Sequence, residues 1–332
     1  MHILLALLAT CLLEKSDKWG PDGTVAVKVE TVVRGLEVPW SFAFLPGGDV
    51  LISERPGRVR LLHNGKLEAK PVLTLTSQVS LKNYAVDLSA SGKAPHASKQ
   101  ASKEELDHFL QPTRYVPTDG IVKETALKAT AGATTDMEKA RAIYDWVVDN
   151  TFRDPKIRGC GRGDIKFMLE SGDMGGKCAD LNALYVGLAR SVGLPARHVY
   201  GLRIAKSDLG YKSLGLATDK ATKGQHCRTE VYLRDHGWVP VDPADVRKVV
   251  LEEPPGNRPL SDEMVSKART RLFGSWEMNW MAYNYAHDVA LPGSAKQPVT
   301  YFMYPQAETA DGRVDPFDPD NFKYEITVKE MS

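Results

Sequence analysis

The sequence predicts an α+β protein in which one apolar helix packs on an antiparallel sheet, preceded by a small all-β segment. Apolar residues recur at helical spacing over residues 178–191, which predicts the helix. Polar and apolar residues alternate over 226–233 and 238–242, as they do in half-buried strands. Near the start of the chain, Pro-Gly turns separate four short β-rich runs, at residues 29–33, 41–45, 50–53 and 58–62.

Length and charge narrow the class of protein. The chain has 332 residues, which favours two domains, and its 42% hydrophobic and 26% charged residues are typical of a globular protein. The formal net charge is only +1. We therefore expect no nucleic-acid partner and no anionic membrane as the main partner, because both need a basic excess on one face.

The first residues contain an apolar run at positions 3–13. This run is shorter than the about 20 residues that a membrane-spanning helix needs, so we expect no integral membrane span. It fits the hydrophobic region of a signal segment over residues 1–20, which predicts a periplasmic or extracellular protein. The alternative is a cytoplasmic protein in which the run is a short apolar strand or helix.

Composition divides the rest of the chain into three parts. We expect the β segment at residues 21–75, a linker at residues 76–105 and a larger domain at residues 106–332. The words LEVPWSFAFLPGGDVLISERPGRVRLL resemble the start of the soluble quinoprotein sugar dehydrogenases, and the likeness covers residues 29–73. The resemblance implies one propeller blade of six, without the later blades that hold the quinone, so we expect no cofactor.

Within the larger domain, helix and strand patterns follow one another. Residues 137–150 have one apolar helical face, with Asp136 as the expected N-cap, and a second helix is expected from Cys178 to about Ser191. Near the C-terminus, β-rich runs predict two strands at residues 299–304 and 323–328.

Cys178 is the first candidate for chemistry. It follows Gly175 and Gly176 and begins the apolar helix, where the partial positive charge of the helix N-terminus favours a thiolate. A thiolate is a strong nucleophile, and glycines let a substrate backbone pass close to it. Free backbone N–H groups at the helix start also suit an oxyanion hole. The alternative for a single cysteine is a buried structural role.

His226 and Asp242 are the candidates for the base and for the residue that orients it. His226 lies on the polar face of its strand, while Cys227 points into the expected core, which argues against a metal site using both. Asp242 shares the face of His226 only if Leu233 pairs with Gly237 across a three-residue loop. A slip by one residue would put Asp242 on the opposite face, as an ordinary turn residue before proline.

Three motifs together resemble the bacterial transglutaminase-like superfamily: GGKCADLNALYVGLARSVGLPARHVYG, HCRTEVYL and GWVPVDP. The similarity extends from about residue 110 to residue 332. It implies a papain-like fold in which a helix carries the nucleophile and packs on an antiparallel sheet that carries the histidine and the aspartate. It further implies Cys178 as nucleophile, His226 as general base and acid, and Asp242 as the residue that orients His226, with no metal.

Several other residues are candidates for roles beside this triad. Gly176, Gln225 and Trp280 are the candidates for substrate contacts. For Asp180 and Asn182 a structural role at the helix start is favoured. His287, followed by Asp288, is a rival base that lacks the strand-pair context, and a disulfide between Cys160 and Cys227 is left open.

The sequence thus predicts a cysteine enzyme that acts on amide bonds of a protein or peptide substrate. Transfer to an amine and hydrolysis use the same triad, so both remain open, as does the oligomeric state. A non-catalytic binding or scaffold protein of the same fold is the alternative. A sugar-oxidising quinoprotein fragment is the third hypothesis, and the single blade argues against it.

Overall fold

The computed structural model describes residues 30–54, 58–68, 76–89, 100–309, 312–318 and 320–331. The predicted signal segment at 1–20 and residues 90–99 of the predicted linker lie outside these ranges. The described residues form two compact units. The first comprises those of residues 1–78 and 307–314, and the second those of residues 79–306 and 315–332.

The first unit contains a four-stranded antiparallel sheet in the order β1-β2-β3-β4. Its strands are β1 (Pro39–Phe44), β2 (Val50–Glu54), β3 (Arg58–His63) and β4 (Lys66–Leu67). Asn64 and Gly65, which connect the last two strands, both have positive φ, at 49° and 74°. Positive φ at both central residues is the signature of the type I′ turn that suits a two-residue hairpin.

The expected strand at 29–33 is wrong for its described residues, because residues 30–36 form no strand. Gly35 and Val38 have positive φ, at 83° and 46°, and they turn the chain just before β1 begins. The fourth strand of the sheet is β4 instead, which the sequence analysis did not predict.

The second unit contains the helices and most of the short strands. Its helices are α1 (Lys103–His108), α2 (Gly120–Ala129), α3 (Asp136–Asn150), α4 (Ile165–Ser171), α5 (Cys178–Ser191), α6 (Pro243–Glu252) and α7 (Glu263–Arg271). Its strands are β5 (Tyr84–Ala85), β6 (Phe152–Arg153), β7 (Gly175–Gly176), β8 (Ala196–Arg203), β9 (Gln225–Leu233), β10 (Gly237–Val241), β11 (Ser275–Trp276), β12 (Trp280–Asn284), β13 (His287–Val289) and β14 (Val299–Tyr301). In the first unit, β15 (Ala307–Thr309) pairs with β16 (Gly312–Val314). None of the described helices has both the length and the hydropathy to cross a membrane.

The centre of the second unit is α5 packed on an antiparallel sheet in the order β10-β9-β8-β12. Every residue of α5 is buried, because the sheet covers one side while α2, α3, α4 and α6 cover the others. Helix α5 therefore lies in the core of this unit. The arrangement confirms the predicted α+β class and the helix that begins at Cys178.

Two local predictions need correction. Helix α3 is capped by Thr135 rather than by Asp136, because the Thr135 hydroxyl accepts the Glu138 N–H while the Glu138 carboxylate accepts the N–H of Thr135. Residues 323–328 form no strand. They contribute only an isolated bridge from Thr327 to Lys220, since their neighbour in space is an irregular loop.

Candidate active site

Cys178 begins α5, and the glycine-rich loop 158–163 lies across the start of this helix. The N–H of Ala179 donates to the carbonyl of Cys160 at 2.9 Å, which places the loop on the first turn. The Asp180 carboxylate accepts the N–H groups of Lys177 at 2.9 Å and of Arg162 at 2.8 Å. It therefore secures both the helix start and the loop, in agreement with the structural role expected for Asp180.

The hairpin of β9 and β10 has the predicted register. Gly237 pairs with Leu233 across the three-residue loop 234–236, and Val241 pairs with Thr229. Asp242 therefore follows the end of β10 on the side of His226, and its Oδ2 atom lies 2.8 Å from Nε2 of His226. Both side chains are buried. The register on which the triad hypothesis depended is confirmed.

The Cys178 thiol has three side-chain neighbours. The side chains of Cys160, Cys227 and His226 are close enough to act on its ionisation. The polar interactions with Cys160 and Cys227, together with the interaction and charge of His226, outweigh burial, so the pKa of Cys178 lies well below its ordinary value. The structure thus brings the thiol, the imidazole and the Asp242 carboxylate of the hypothesised triad together.

The neighbourhood of two further cysteines was not predicted. Cys227 is fully buried, as expected, but it also borders Cys178 rather than only facing away from it. Cys160, Cys178 and Cys227 are all free thiols, so Cys160 and Cys227 do not form a disulfide in this structure. The tertiary placement of Cys160 depends on how the 158–163 loop folds over α5, which sequence spacing does not show.

A second carboxylate, missed by the sequence analysis, stands beside the imidazole. Asp245 Oδ2 lies 3.3 Å from His226 Nε2, and Arg203 binds Asp245 through two hydrogen bonds of 2.6 and 2.8 Å. Burial lowers the pKa of His226, but the negative charges of Asp245 and Asp242 raise it by more, so that it rises to about 9. The imidazole is therefore held in its protonated form at neutral pH.

The same three groups are the one candidate cluster for a metal in the described residues. Ligand atoms of His226, Asp242 and Asp245 lie within 4.8 Å of one another. Two guanidinium groups already face these carboxylates, that of Arg203 and that of Arg228, whose Nε lies 3.6 Å from Asp242. Because arginine supplies the positive charge that a cation would bring, the cluster is accounted for as an ion-pair network.

Asn182 links the nucleophile helix to the orienting aspartate. It is fully buried, and its Nδ2 atom donates to the carbonyl of Cys227 at 2.8 Å and to Asp242 Oδ1 at 3.3 Å. Its Oδ1 atom accepts the N–H of Ala244 at 3.3 Å. Asn182 therefore fixes α5 against the end of β10, a structural role that also positions Asp242.

The three predicted substrate residues have different surroundings. Gly176 is buried beside Asp180, and Gln225 is half-buried with its carbonyl accepting the Cys160 thiol at 3.4 Å. Trp280 is fully buried, and its indole N–H donates to the carbonyl of His226 at 2.8 Å. Their contacts with a substrate remain predictions.

His287, the rival base, belongs to a separate cluster. Its Nε2 atom lies 3.0 Å from Nδ1 of His198 and 3.2 Å from the Tyr200 hydroxyl. Burial lowers the pKa of His287 to about 3, so the ring is neutral. The carboxylate of Asp288 accepts the N–H of Arg114 at 3.0 Å and does not orient the ring of His287.

The site is closed in this structure. The exposed fraction is 4% for Cys178 and 4% for His226. An aromatic residue near the C-terminus contacts the 158–163 loop, because the Tyr301 hydroxyl donates to the carbonyl of Gly161 at 2.7 Å.

Comparison with known proteins identifies the class to which this fold and site belong. The family model of the transglutaminase-like superfamily matches residues 123–243, which include Cys178, His226 and Asp242. Residues 123–243 thus form a transglutaminase-like domain.

Individual relatives are similar to parts of the chain. An uncharacterized protein of Haemophilus influenzae is 38% identical over 236 residues, which are 68% of this chain and 63% of that protein. An uncharacterized protein of Synechocystis is 48% identical over 46 residues, or 14% of this chain and 11% of that protein. The chain thus spans less than two thirds of the length of either relative.

Solved structures share the fold only loosely. The periplasmic domain of TgpA from Pseudomonas aeruginosa has a TM-score of 0.33 and 18% identity, covering 43% of this chain and 49% of that one. Red sea bream transglutaminase has a TM-score of 0.24 and 14% identity, covering 42% of this chain and 26% of that one. With TM-scores this low, neither structure bears on the function of this chain.

Proposed function

We propose that the protein is a cysteine-nucleophile enzyme that acts on amide bonds of proteins or peptides. The supporting observation is that His226, which acts on the ionisation of Cys178 at the start of a buried helix, forms a hydrogen bond of 2.8 Å with Asp242. The lowered pKa of Cys178 and the pKa of about 9 for His226 favour a thiolate–imidazolium pair at neutral pH.

In the first half of the reaction, the Cys178 thiolate attacks the amide carbonyl carbon. The backbone N–H of Cys178, at the first helical position, is placed to stabilise the oxyanion that forms. The His226 imidazolium gives its proton to the departing amine, the C–N bond breaks, and a thioester remains on Cys178. Asp242 and Asp245 keep the imidazole oriented and stabilise its charge.

In the second half, water or an amine attacks the thioester. Neutral His226 accepts the proton of the incoming nucleophile, the C–S bond breaks, and the thiolate–imidazolium pair is restored. Hydrolysis and transfer therefore differ only in which nucleophile enters the cleft.

The experiment uses iodoacetamide as a small thiol probe and a glutamine-peptide library, each with and without a primary amine, read by mass spectrometry. We expect iodoacetamide to alkylate Cys178. In the peptide library we expect one of three products: a peptide carrying the amine, a glutamine deamidated with a mass change of about one dalton, or a cleaved peptide. Cys178→Ala and Cys178→Ser should abolish turnover while the circular dichroism spectrum stays unchanged. Turnover retained by purified Cys178→Ala would contradict the proposal.

A non-catalytic binding protein of the same fold is the second candidate, and the 4% exposure of Cys178 favours it. A peptide that binds equally well to the wild type and to Cys178→Ala, without any product in the wild type, would decide for this candidate.

We further propose that the protein is periplasmic or extracellular, which rests on the apolar run at residues 3–13. Cell fractionation of the full chain beside a variant lacking residues 1–20 tests this. Equal amounts of both proteins in the cytoplasm would overturn it.

A further inference from the structure

The mechanism above uses one of the three free thiols that meet at the start of α5. Cys160 and Cys227 both lie beside the first turn of α5, where their carbonyls accept the Ala179 N–H and the Asn182 amide, yet neither thiol is needed for acyl transfer. Their exposed fractions are 7% for Cys160 and zero for Cys227. A low-pKa cysteine next to another thiol is the usual arrangement of a redox-sensitive site, in which the second cysteine resolves the oxidised first one.

We propose that Cys160 is a resolving cysteine that forms a reversible disulfide with Cys178 when a peroxide oxidises the site. The inference rests on the proposed function only for its consequence, the loss of the nucleophile, since the disulfide itself needs no catalytic activity.

The loop around Cys160 makes it the better partner. It lies between Gly159 and Gly161, whose φ values of +59° and +98° belong to glycine conformations, and its carbonyl accepts the N–H of Ala179 at 2.9 Å. The loop thus holds Cys160 next to the helix start and has no strand pairing to break. A disulfide needs its two Cβ atoms about 3.5 to 4.5 Å apart, so the partner cysteine has to stand on a segment that can adjust its backbone.

Cys227 lacks this freedom. It lies inside β9, where its backbone pairs with Tyr200, and its carbonyl accepts the Asn182 amide at 2.8 Å. A shift of Cys227 towards Cys178 would disturb the central sheet beside His226. Cys227 therefore serves as the matched control for Cys160, with the same side chain beside Cys178 but a backbone held in the central sheet.

The chemistry balances with hydrogen peroxide as oxidant. The Cys178 thiolate attacks one peroxide oxygen, the O–O bond breaks, hydroxide leaves and takes a proton, and Cys178 becomes a sulfenic acid. The Cys160 sulfur then attacks the Cys178 sulfur, an S–S bond forms, the S–O bond breaks, and water leaves with the Cys160 proton. Two thiols lose two electrons in all, and one peroxide becomes two waters. A dithiol such as dithiothreitol reverses the step by exchange.

The local charges agree with this order of events. The hydrogen bond to Cys178 and burial raise the pKa of Cys160, so Cys160 keeps its proton while Cys178 is the thiolate that meets the peroxide first. Peroxide is close to water in size and needs a smaller opening than a peptide does.

Tryptic mapping of the full-length protein tests the proposal directly. Trypsin separates the three thiols into residues 159–162, 178–190 and 224–228, because Arg158, Arg162, Lys177, Arg190, Lys223 and Arg228 flank them. After hydrogen peroxide, we expect the first two peptides linked with the loss of two hydrogens, and separated again by dithiothreitol. A link between 178–190 and 224–228, or a Cys178 that goes straight to sulfinic acid, overturns the proposal.

Variants provide the comparison. In Cys160→Ala, and in Cys160→Ser as the polar replacement, Cys178 should gain two oxygens and lose its dithiothreitol-recoverable labelling, whereas Cys227→Ala should still form the linked pair. Equal sulfinic acid in all four proteins would refute the role of Cys160. The wild-type map needs neither variant to fold nor the enzyme to turn over, so its outcome is independent of the proposed function.

Discussion

The pKa of His226 is raised by two nearby carboxylates, those of Asp245 and Asp242. Burial alone would make this imidazole neutral at pH 7, but Asp245 at 3.3 Å and Asp242 at 2.8 Å raise its pKa to about 9. Because the folded pKa is raised, the imidazolium persists through neutral pH and is lost as pH rises through about 9. The pKa of Cys178 is lowered, so its thiolate persists on the acid side. We expect kcat/KM to be level at neutral pH and to fall above about pH 9.

Asp245→Asn removes one of the two charges that oppose the desolvation of His226. We expect the alkaline limb of the kcat/KM profile to move to lower pH by about 1 to 3 pH units, the usual effect of an adjacent opposite charge. The measurement is the pH profile of wild type and variant, with Glu263→Gln as control, because Glu263 is exposed and pairs only with Lys267 on α7. An unmoved limb in a folded Asp245→Asn protein would show that Asp242 alone sets this titration.

The three residues of the proposed triad were chosen from sequence, while their neighbours were found only in the structure. Cys178, His226 and Asp242 follow from a helix start and a hairpin register, which are local properties. Asp245 is the third residue of α6 and Asp242 is the N-cap of that helix, a spacing typical of a capped helix start that would have been a usable signal. The approach of Cys160 depends on the long-range packing of its loop, for which the sequence offered no signal.

At the scale of elements, the glycine-rich loop 158–163 is held against the start of α5 by the Asp180 carboxylate. Gly161 has φ of +98°, and a Cβ atom there would overlap with the Asp180 carboxylate that holds the loop. Gly132 has a similar φ of +85° with nothing within 4 Å of an added Cβ. The two glycines thus share a backbone conformation but differ in their surroundings.

We predict that Gly132→Ala costs about 1 to 3 kcal/mol, the range for a non-glycine residue in this conformation. Gly161→Ala should cost more, because the Asp180 carboxylate must also leave its three N–H donors. Chemical denaturation measures the loss in free energy of unfolding for each variant. The difference between the two losses reports the cost of the overlap between the new Cβ atom and the Asp180 carboxylate. Equal losses would mean that the loop moves aside without strain.

Elements that depend on local sequence pattern were predicted better than elements that depend on a partner far away in the sequence. Helix α5 and the β9–β10 hairpin were predicted within a residue or two, since their periodicities are strong and their ends are marked by glycine and proline. The strand expected at 323–328 failed because a strand also needs a partner with free hydrogen-bonding groups, and this segment meets an irregular loop at Lys220 and Ala221.

At the scale of the whole molecule, all residues of the proposed triad belong to the second unit. The domain boundaries predicted at 75 and 105 remain predictions, and so does the blade-like character of residues 21–75. Short strands β5 and β11 pair within the second unit, so part of the region expected as linker contributes to its fold.

We predict that a chain beginning at Val79 retains the rate of Cys178 alkylation by iodoacetamide, because the thiol and its three side-chain neighbours lie within 160–227. The same chain with Cys178→Ala is the control that separates this label from those on Cys160 and Cys227. A truncated protein that is folded by circular dichroism but no longer labels at Cys178 would show that the first unit contributes to the site.

The two carboxylate oxygens of Asp242 have different hydrogen-bond partners. Its Oδ1 atom accepts the N–H of Asp245 at 3.0 Å and so begins α6, while its Oδ2 atom steadies the imidazole. Since the Asp242 side chain both caps α6 and orients His226, unfolding of the first turn of α6 would disturb proton transfer by His226 before the central sheet unfolds. If the proposed activity holds, hydrogen exchange at the Asp245 amide should then track the loss of turnover.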